Sequence, residues 1–318
     1  MDLLAHTLQR FVAADAQITA VDSVALGGGM SGADVWRHSL QYTSAAGPST
    51  ISLITKDAER HEWRVIEHLQ SQQQPNIPFA HTIDTTDAER LQICMQDLGD
   101  QNRSTSLEPI SEGELAREAS GLAAIHMANM QQDRQLEWLP SMSASYVQDM
   151  LFERAWRPAW EAAVADTRFA ATFRDAIPRV EAAAATIVED MRALLHEPAA
   201  HTLIHADLNP SNVLVSDGKP YFIDWQTAML GPFYIDLPHH HCTLAQAEHY
   251  RQALAAYGYV ISRQDFAERY RLAARYIGFR YMWWTLEYWL EDQTQMRWVQ
   301  HYIGLVTGEG IGTTTAAA

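Results

Sequence analysis

The sequence predicts an α+β fold in two lobes: a small, strand-rich lobe with one main helix, followed by a larger, mostly helical lobe. Three observations carry this prediction. The first 97 residues hold five short runs rich in β-branched and aromatic residues, with one main amphipathic helical stretch among them. From Glu112 onward, apolar residues recur at helical spacing over long stretches. Late in the chain, strand-like runs at Val213–Val215 and Tyr221–Ile223 flank Ser216-Asp217-Gly218-Lys219-Pro220, a strong hairpin signal.

Taken in order, 1–15 reads as an amphipathic helix with Leu4, Leu8 and Phe11 at helical spacing. A strand at 18–26 leads into Gly27-Gly28-Gly29-Met30-Ser31-Gly32, and a second strand follows at 34–42. These glycines satisfy G-x-G-x-x-G, but a strand rather than a helix follows them, which speaks against a Rossmann unit. No G-x-x-x-x-G-K-[ST] occurs, so a P-loop is excluded. A turn at 45–48 precedes a third strand, 50–55, ending at Lys56. The main helix of the lobe, 58–70, carries Trp63, Ile66 and Leu69 on one face. Strands at 79–84 and 90–95 complete the lobe, and the polar segment 100–109 leads out of it. Beyond lie helices at 112–130, 144–165, 174–196, 244–257 and 264–306, and a tail at 307–318 expected to be disordered. His126 in the first of these helices reads as a packed core residue. His239, His240 and His241 are adjacent, so regular structure cannot aim all three at one metal.

The 318 residues suffice for one large two-lobed unit or two ordinary domains. A composition of 47% hydrophobic and 19% charged residues is that of an ordinary globular protein. The formal charge of −16 argues against nucleic acid or an anionic membrane surface as the main partner. Cys94 and Cys242 form no C-x-x-C pair, and neither a signal peptide nor an 18-residue apolar run is present. A cytoplasmic location is therefore expected.

The chemistry concentrates around the hairpin. His205, Asp207 and Asn212 precede it and Asp224 follows it. A tight hairpin folds its ends together, which brings Asn212 and Asp224 within reach of one ion, with Asp207 on the preceding loop. One carboxylate to orient a hydroxyl, plus an amide and a second carboxylate for Mg²⁺, is the set that phosphoryl transfer requires. Lys56 at a strand end and Glu62 in the following helix suit a lysine–glutamate pair, with Glu59 the alternative partner.

The stretch His205-Ala206-Asp207-Leu208-Asn209-Pro210-Ser211-Asn212, then Ile223-Asp224-Trp225-Gln226, then Gly231, Pro232, Asp236 and Leu237, resembles the aminoglycoside phosphotransferase / choline kinase-like family. Met95-Gln96-Asp97-Leu98-Gly99 is similar to its hinge, and Leu122-Ala123-Ala124-Ile125-His126 to its L-A-x-L-H helix. The resemblance implies a protein-kinase-like fold with an antiparallel small lobe, dividing into a nucleotide-binding lobe, 1–97, and a catalytic and acceptor-binding lobe, 98–318. It further implies transfer of a phosphoryl group from ATP to a hydroxyl of a small molecule. Asp207 would act on the acceptor hydroxyl, with Asn212 and Asp224 on Mg²⁺. Lys56, held by Glu62, would bind phosphates beneath Gly27, Gly29, Ser31 and Gly32, and the backbone around Gln96 and Leu98 would meet adenine. Asp236 would satisfy backbone N–H groups of the catalytic loop. An aminoglycoside- or choline-like acceptor with a positive nitrogen is one expectation, bound by Trp283, Trp284 and Glu287. The rivals are a kinase of protein side chains, against which the missing A-P-E counts, and a silent nucleotide-binding scaffold.

Overall fold

A computed structural model describes residues 2–26, 34–84, 86, 88–100, 110–130, 132, 135–293 and 295–309. The glycine loop expected to cover phosphates (Gly27, Gly29, Ser31, Gly32) and the tail from residue 310 lie outside the described residues. The chain forms two compact units, one of 1–103 with 211–228 and the other of 104–210 with 229–318. The sequence boundary after Asp97 left out the excursion at 211–228, which takes the hairpin into the first unit.

In the first unit, α1 (Asp2–Phe11) buries Leu3, Leu4 and Leu8 along one stripe. Strands β1 (Gln17–Ala25), β2 (Val35–Ser44) and β3 (Gly47–Glu59) run antiparallel, and β5 (Arg90–Gln96) pairs antiparallel with both β3 and the two-residue β4 (Ala80–His81). The sheet order is β1-β2-β3-β5-β4, which makes β3 the central strand. Leu40 and Leu53, alternate inward residues of β2 and β3, pack with Leu3, Leu4 and Cys94 in one core cluster. Helix α2 (Arg60–Ser71) buries Glu62, Val65, Ile66 and Leu69, so a carboxylate occupies the apolar stripe at i, i+3, i+4, i+7. The strand expected over 79–84 shrinks to two residues. Its other positions alternate too weakly to pay for ladder pairing beyond Ala80↔Met95 and His81↔Cys94.

The second unit opens with α3 (Glu112–Asn129), started by a capping box in which Ser111 and Glu114 satisfy each other's backbone N–H groups. The helix expected over 144–165 is broken into α4 (Ala144–Gln148), a π-helical turn (Asp149–Arg154) and α5 (Trp156–Ala165). After α6 (Thr167–Thr172), the next expected helix divides into α7 (Ile177–Ala184), with Pro178 in its first turn where a missing N–H costs nothing, and α8 (Ile187–Leu195). Strand β6 (His201–Ile204) follows. The chain then enters the first unit for the hairpin β7 (Val213–Ser216) and β8 (Lys219–Phe222). Its two-residue loop has Asp217 at φ 52° and Gly218 at φ 72°, the left-handed pair a type I′ turn demands.

Back in the second unit, β9 (Met229–Pro232) pairs antiparallel with β6. Four-residue strands with a partner 25 or more residues away carry no readable period, and the sequence did not reveal this pair. Helix α9 (Leu244–Ala256) starts at a Thr243–Gln246 capping box. The last helical stretch is two helices, α10 (Arg263–Asp292) and α11 (Met296–Thr307), divided where Gln293 takes a left-handed conformation, φ 61°. Aromatic side chains fill the core beside α10: the ring of Trp156 lies 4.6 Å from Phe279, and Phe169 5.2 Å from Trp289. Among the described residues no helix is long and apolar enough to cross a membrane.

Gly278 lets α10 approach α11. A Cβ there would stand 2.9 Å from Val306 Cγ2 and 3.0 Å from the Tyr302 carbonyl oxygen. Gly278→Ala gains about 1 kcal/mol of helix propensity but overpacks a contact at a typical cost of about 1–3 kcal/mol. The balance is a net loss, seen as a thermal midpoint lowered by a few degrees. An equal or higher midpoint would show that the two helices can separate freely.

Candidate active site

Lys56 stands on the central strand β3, paired in register with Val35 of β2 and Ile93 of β5. Its Nζ donates to Glu62 Oε1 at 2.9 Å and to Asp224 Oδ1 at 2.6 Å. Burial pushes the ammonium's pKa down, but the two carboxylates outweigh it and hold it above the ordinary lysine range. Of the two glutamates left open by the sequence, Glu62 is the partner. Glu59 is exposed at the end of β3, opposite Arg90. Glu62 is 1% exposed, so loss of Lys56 would take the counter-charge from a buried carboxylate.

Asp224 follows β8 in a left-handed conformation, φ 65°, which aspartate tolerates better than most residues. The Ile223 N–H donates to the Asn212 carbonyl at 3.0 Å, so Asn212 and Asp224 close the two ends of the hairpin. The donor set on these residues is an amide oxygen and a carboxylate, hard ligands of the kind Mg²⁺ takes.

A cavity of about 330 Å³ opens within the first unit. Leu26, Val35, Ile54, Leu214 and Ile223 give it apolar walls, and Lys56, Asn212 and Asp224 line it with charge and polarity. Gln96 and Leu98, the expected hinge positions, border it too. Gln96 spends its backbone N–H on Phe79 O at 2.9 Å.

The sequence reading missed the brace on this hinge. Arg37 of β2 donates to both carboxylate oxygens of Asp97 (2.7 and 3.2 Å) and both of Asp100 (2.6 and 3.1 Å). Burial alone would push the Asp97 carboxyl up, but the Ser52 hydroxyl, the Gly99 N–H and the Arg37 guanidinium around it hold it below the ordinary carboxylate range. Alternation along β2 puts Arg37 on the face of Val35, which was the only available signal.

In the second unit, Asp236 acts as a clasp. Its carboxylate accepts from the backbone N–H of His205 (2.7 Å) and of Ala206 (2.8 Å), the role expected from the sequence. His126 Nε2 lies 3.2 Å from the same carboxylate, and His126 Nδ1 lies 2.6 Å from the Tyr250 hydroxyl. A carboxylate only accepts, so Nε2 carries the proton and Nδ1 accepts from Tyr250. Burial pushes the Tyr250 phenol well above its ordinary range and keeps it a donor. Ala206 has φ 62°, a strained value for a residue with a Cβ, and the next residue is Asp207. The Asp207 carboxylate accepts from the Tyr281 hydroxyl on α10.

The three expected acceptor residues part company on α10. At about 100° per residue, Trp284 shares a stripe with Tyr281, whereas Trp283 and Glu287 point roughly 160° and 120° away from it. Trp284 packs among Trp298 (5.9 Å), Tyr302 (6.3 Å) and Tyr288 (6.1 Å). Trp283 is half-buried and Glu287 is exposed, so the carboxylate expected beside both indoles faces water.

The model of a family described as "Phosphotransferase enzyme family" matches residues 25–274. No curated protein matches the chain. Among solved structures, the AMP-bound spectinomycin phosphotransferase APH(9)-Ia is 14% identical at TM-score 0.56, over 88% of this chain and 91% of that one. A thermostable aminoglycoside phosphotransferase APH(4)-Ia, in ternary complex with AMP-PNP and hygromycin B, is 14% identical at TM-score 0.52, over 98% and 100%. The choline kinase LicA from Streptococcus pneumoniae is 13% identical at TM-score 0.51, over 96% and 98%. At these identities the likeness is one of fold, the protein-kinase-like α+β architecture.

The hinge brace has a pH signature. A carboxyl held below its ordinary pKa stabilises the fold fully above that value, about 3.9 for aspartate, and loses this contribution as pH falls through the lower folded value. Arg37→Met releases Asp97 from part of that hold, so acid unfolding of the variant should begin at higher pH than in wild type. Circular dichroism during acid titration checks this, and coincident curves would show that the brace contributes nothing.

Proposed function

Because the chain belongs to this phosphotransferase family and is a small-molecule phosphotransferase, we propose that it transfers the γ-phosphoryl group of ATP to an acceptor hydroxyl, with Asp207 acting on that hydroxyl. The observation that carries the reading is the Lys56 ammonium held between Glu62 and Asp224 at a nucleotide-sized cavity. The apolar walls suit a planar base. The Leu98 N–H, without an acceptor among the described residues, remains for the base edge. The AMP and AMP-PNP in the structures of similar fold support a nucleotide in this place.

In the reaction, the bond from the γ-phosphorus to the bridging β–γ oxygen breaks and a bond to the acceptor oxygen forms. The hydroxyl proton passes to Asp207, and the products are ADP and a phosphoester. Lys56 supplies fixed positive charge toward the phosphates and Glu62 keeps it in place. Asn212 and Asp224 are the residues that would hold Mg²⁺, which when bound neutralises phosphate charge. Asp207 is held by the Tyr281 hydroxyl and by the Asp236 clasp on the two residues before it, so its orientation is set before an acceptor arrives. Retention of Lys56, Glu62, Asp207, Asn212 and Asp224 together favours turnover over a silent scaffold.

Asp207→Asn should preserve nucleotide affinity and lower kcat by about 100-fold or more, the usual contribution of a general base. ATP consumption with any accepted substrate checks this, and unchanged turnover would remove Asp207 from the chemistry. Asp224→Ala should weaken Mg²⁺-dependent ATP binding more than Asn212→Ala, since only the carboxylate carries charge. Full affinity of the Asp224 variant in calorimetry would reassign the metal.

A further inference from the structure

Arg280 is a cation that this chemistry leaves unused. It precedes Tyr281 on α10, and its guanidinium lies over the Tyr281 ring, 5.6 Å from the centroid. Its Nη1 points at Met150 Sδ, 3.0 Å away, a weak acceptor. Among the described residues no carboxylate pairs with it. Its neighbours in the same unit behave otherwise: Arg157 pairs with Glu181, Arg251 with Glu248, Arg269 with Glu197 and Arg275 with Asp190. An arginine drawn substantially out of water without a carboxylate is costly unless an anion meets it in the working state.

Two further features surround this group. Met150 sits on the π-helical turn Asp149–Arg154, a rare geometry that interrupts the helix where it meets Arg280. Asp207 is one of the charges whose field reaches Arg280, and one Asp207 oxygen is occupied by the Tyr281 hydroxyl. A single tyrosine therefore carries the acceptor-orienting carboxylate at its hydroxyl and a cation over its ring.

We propose that the acceptor bears an anionic group, a carboxylate or a phosphate, which pairs with Arg280 while its hydroxyl meets Asp207. The proposal rests on the reading of Asp207 as the residue that acts on the acceptor. It replaces the expectation of a positive nitrogen: an ammonium beside Arg280 would be repelled, and Glu287, meant to receive it, is exposed.

Four probes that share a vicinal diol or its nearest equivalent and differ in charge test this: glycerate, glycerol 3-phosphate, glyceramide and 3-amino-1,2-propanediol. Binding of each is measured by calorimetry on the full chain with MgADP present, in wild type, Arg280→Gln and Arg280→Lys. At least one anionic probe should bind about tenfold or more tightly than the amide and the amine, as a charge-assisted pair provides. The comparison of glycerate with glycerol 3-phosphate says which anion the site takes. Arg280→Gln should abolish that preference without changing ADP affinity, and Arg280→Lys should restore part of it. No preference among the four probes, tighter binding of the amine, or a preference that survives in Arg280→Gln would overturn the proposal. Failure of wild type to bind MgADP or hydrolyse MgATP would instead count against the phosphotransfer reading, and the charge preference would be judged separately.

Discussion

The Lys56 ammonium between two carboxylates is the constraint on which the first unit depends. Glu62 lies on the stripe of α2 that otherwise holds Val65, Ile66 and Leu69, where an unpaired carboxylate would be prohibitive. Lys56 must therefore reach it from the central strand, which fixes the helix against the sheet. A one-residue slip of β3 would turn Lys56 to the opposite face and break its pair with Glu62. Asp224, 168 residues further along, closes the same arrangement and ties the hairpin to it. Such a pair adds little net stability over apolar residues, but breaking it costs about 3–5 kcal/mol. Its main effect is to specify one geometry, and that geometry places positive charge at the polar end of a cavity.

The second unit solves a comparable problem with Asp236. Its carboxylate gathers two consecutive backbone N–H groups and a histidine N–H. Charge-assisted bonds of this kind are about twice as strong as neutral ones, enough to hold Ala206 in a left-handed conformation that costs roughly 1–2 kcal/mol. The strain sits immediately before Asp207. With Tyr281 donating to the carboxylate itself, Asp207 is restrained through its backbone and its side chain together. Charge and strain thus converge on the residue proposed to meet the acceptor, and the same tyrosine brings Arg280 alongside.

Much of this was legible in the sequence because it rests on local chemistry. Asp217-Gly218 announced a hairpin, since few other dipeptides adopt two left-handed residues, and Asn212 and Asp224 stand at its two ends. The apolar period from Glu112 announced α3, and Lys56 with Glu62 read as a pair, although Glu59 stood open beside it until the structure showed Glu62 buried on α2. The strands of the small sheet were readable wherever their runs exceeded about five residues, the length at which alternation becomes visible.

What only the tertiary structure decided were the contacts made across long separations and the points where helices break. Arg37 braces Asp97 and Asp100 some sixty residues away, and β6 meets β9 through four-residue runs, so neither has a local pattern. The π-helical turn and the left-handed Gln293 interrupt stretches whose apolar period continues across them, because packing against neighbours rather than propensity sets those breaks. The aromatic run of α10 could be recognised but not oriented. Its seam with α11, closed at Gly278, fixes the rotation that turns Tyr281 and Trp284 inward and Glu287 to water. Local sequence determined most of the elements and the polar residues they carry. Long-range packing determined which charges meet, because a side chain's partner depends on the rotation of whole elements that no short window of sequence contains.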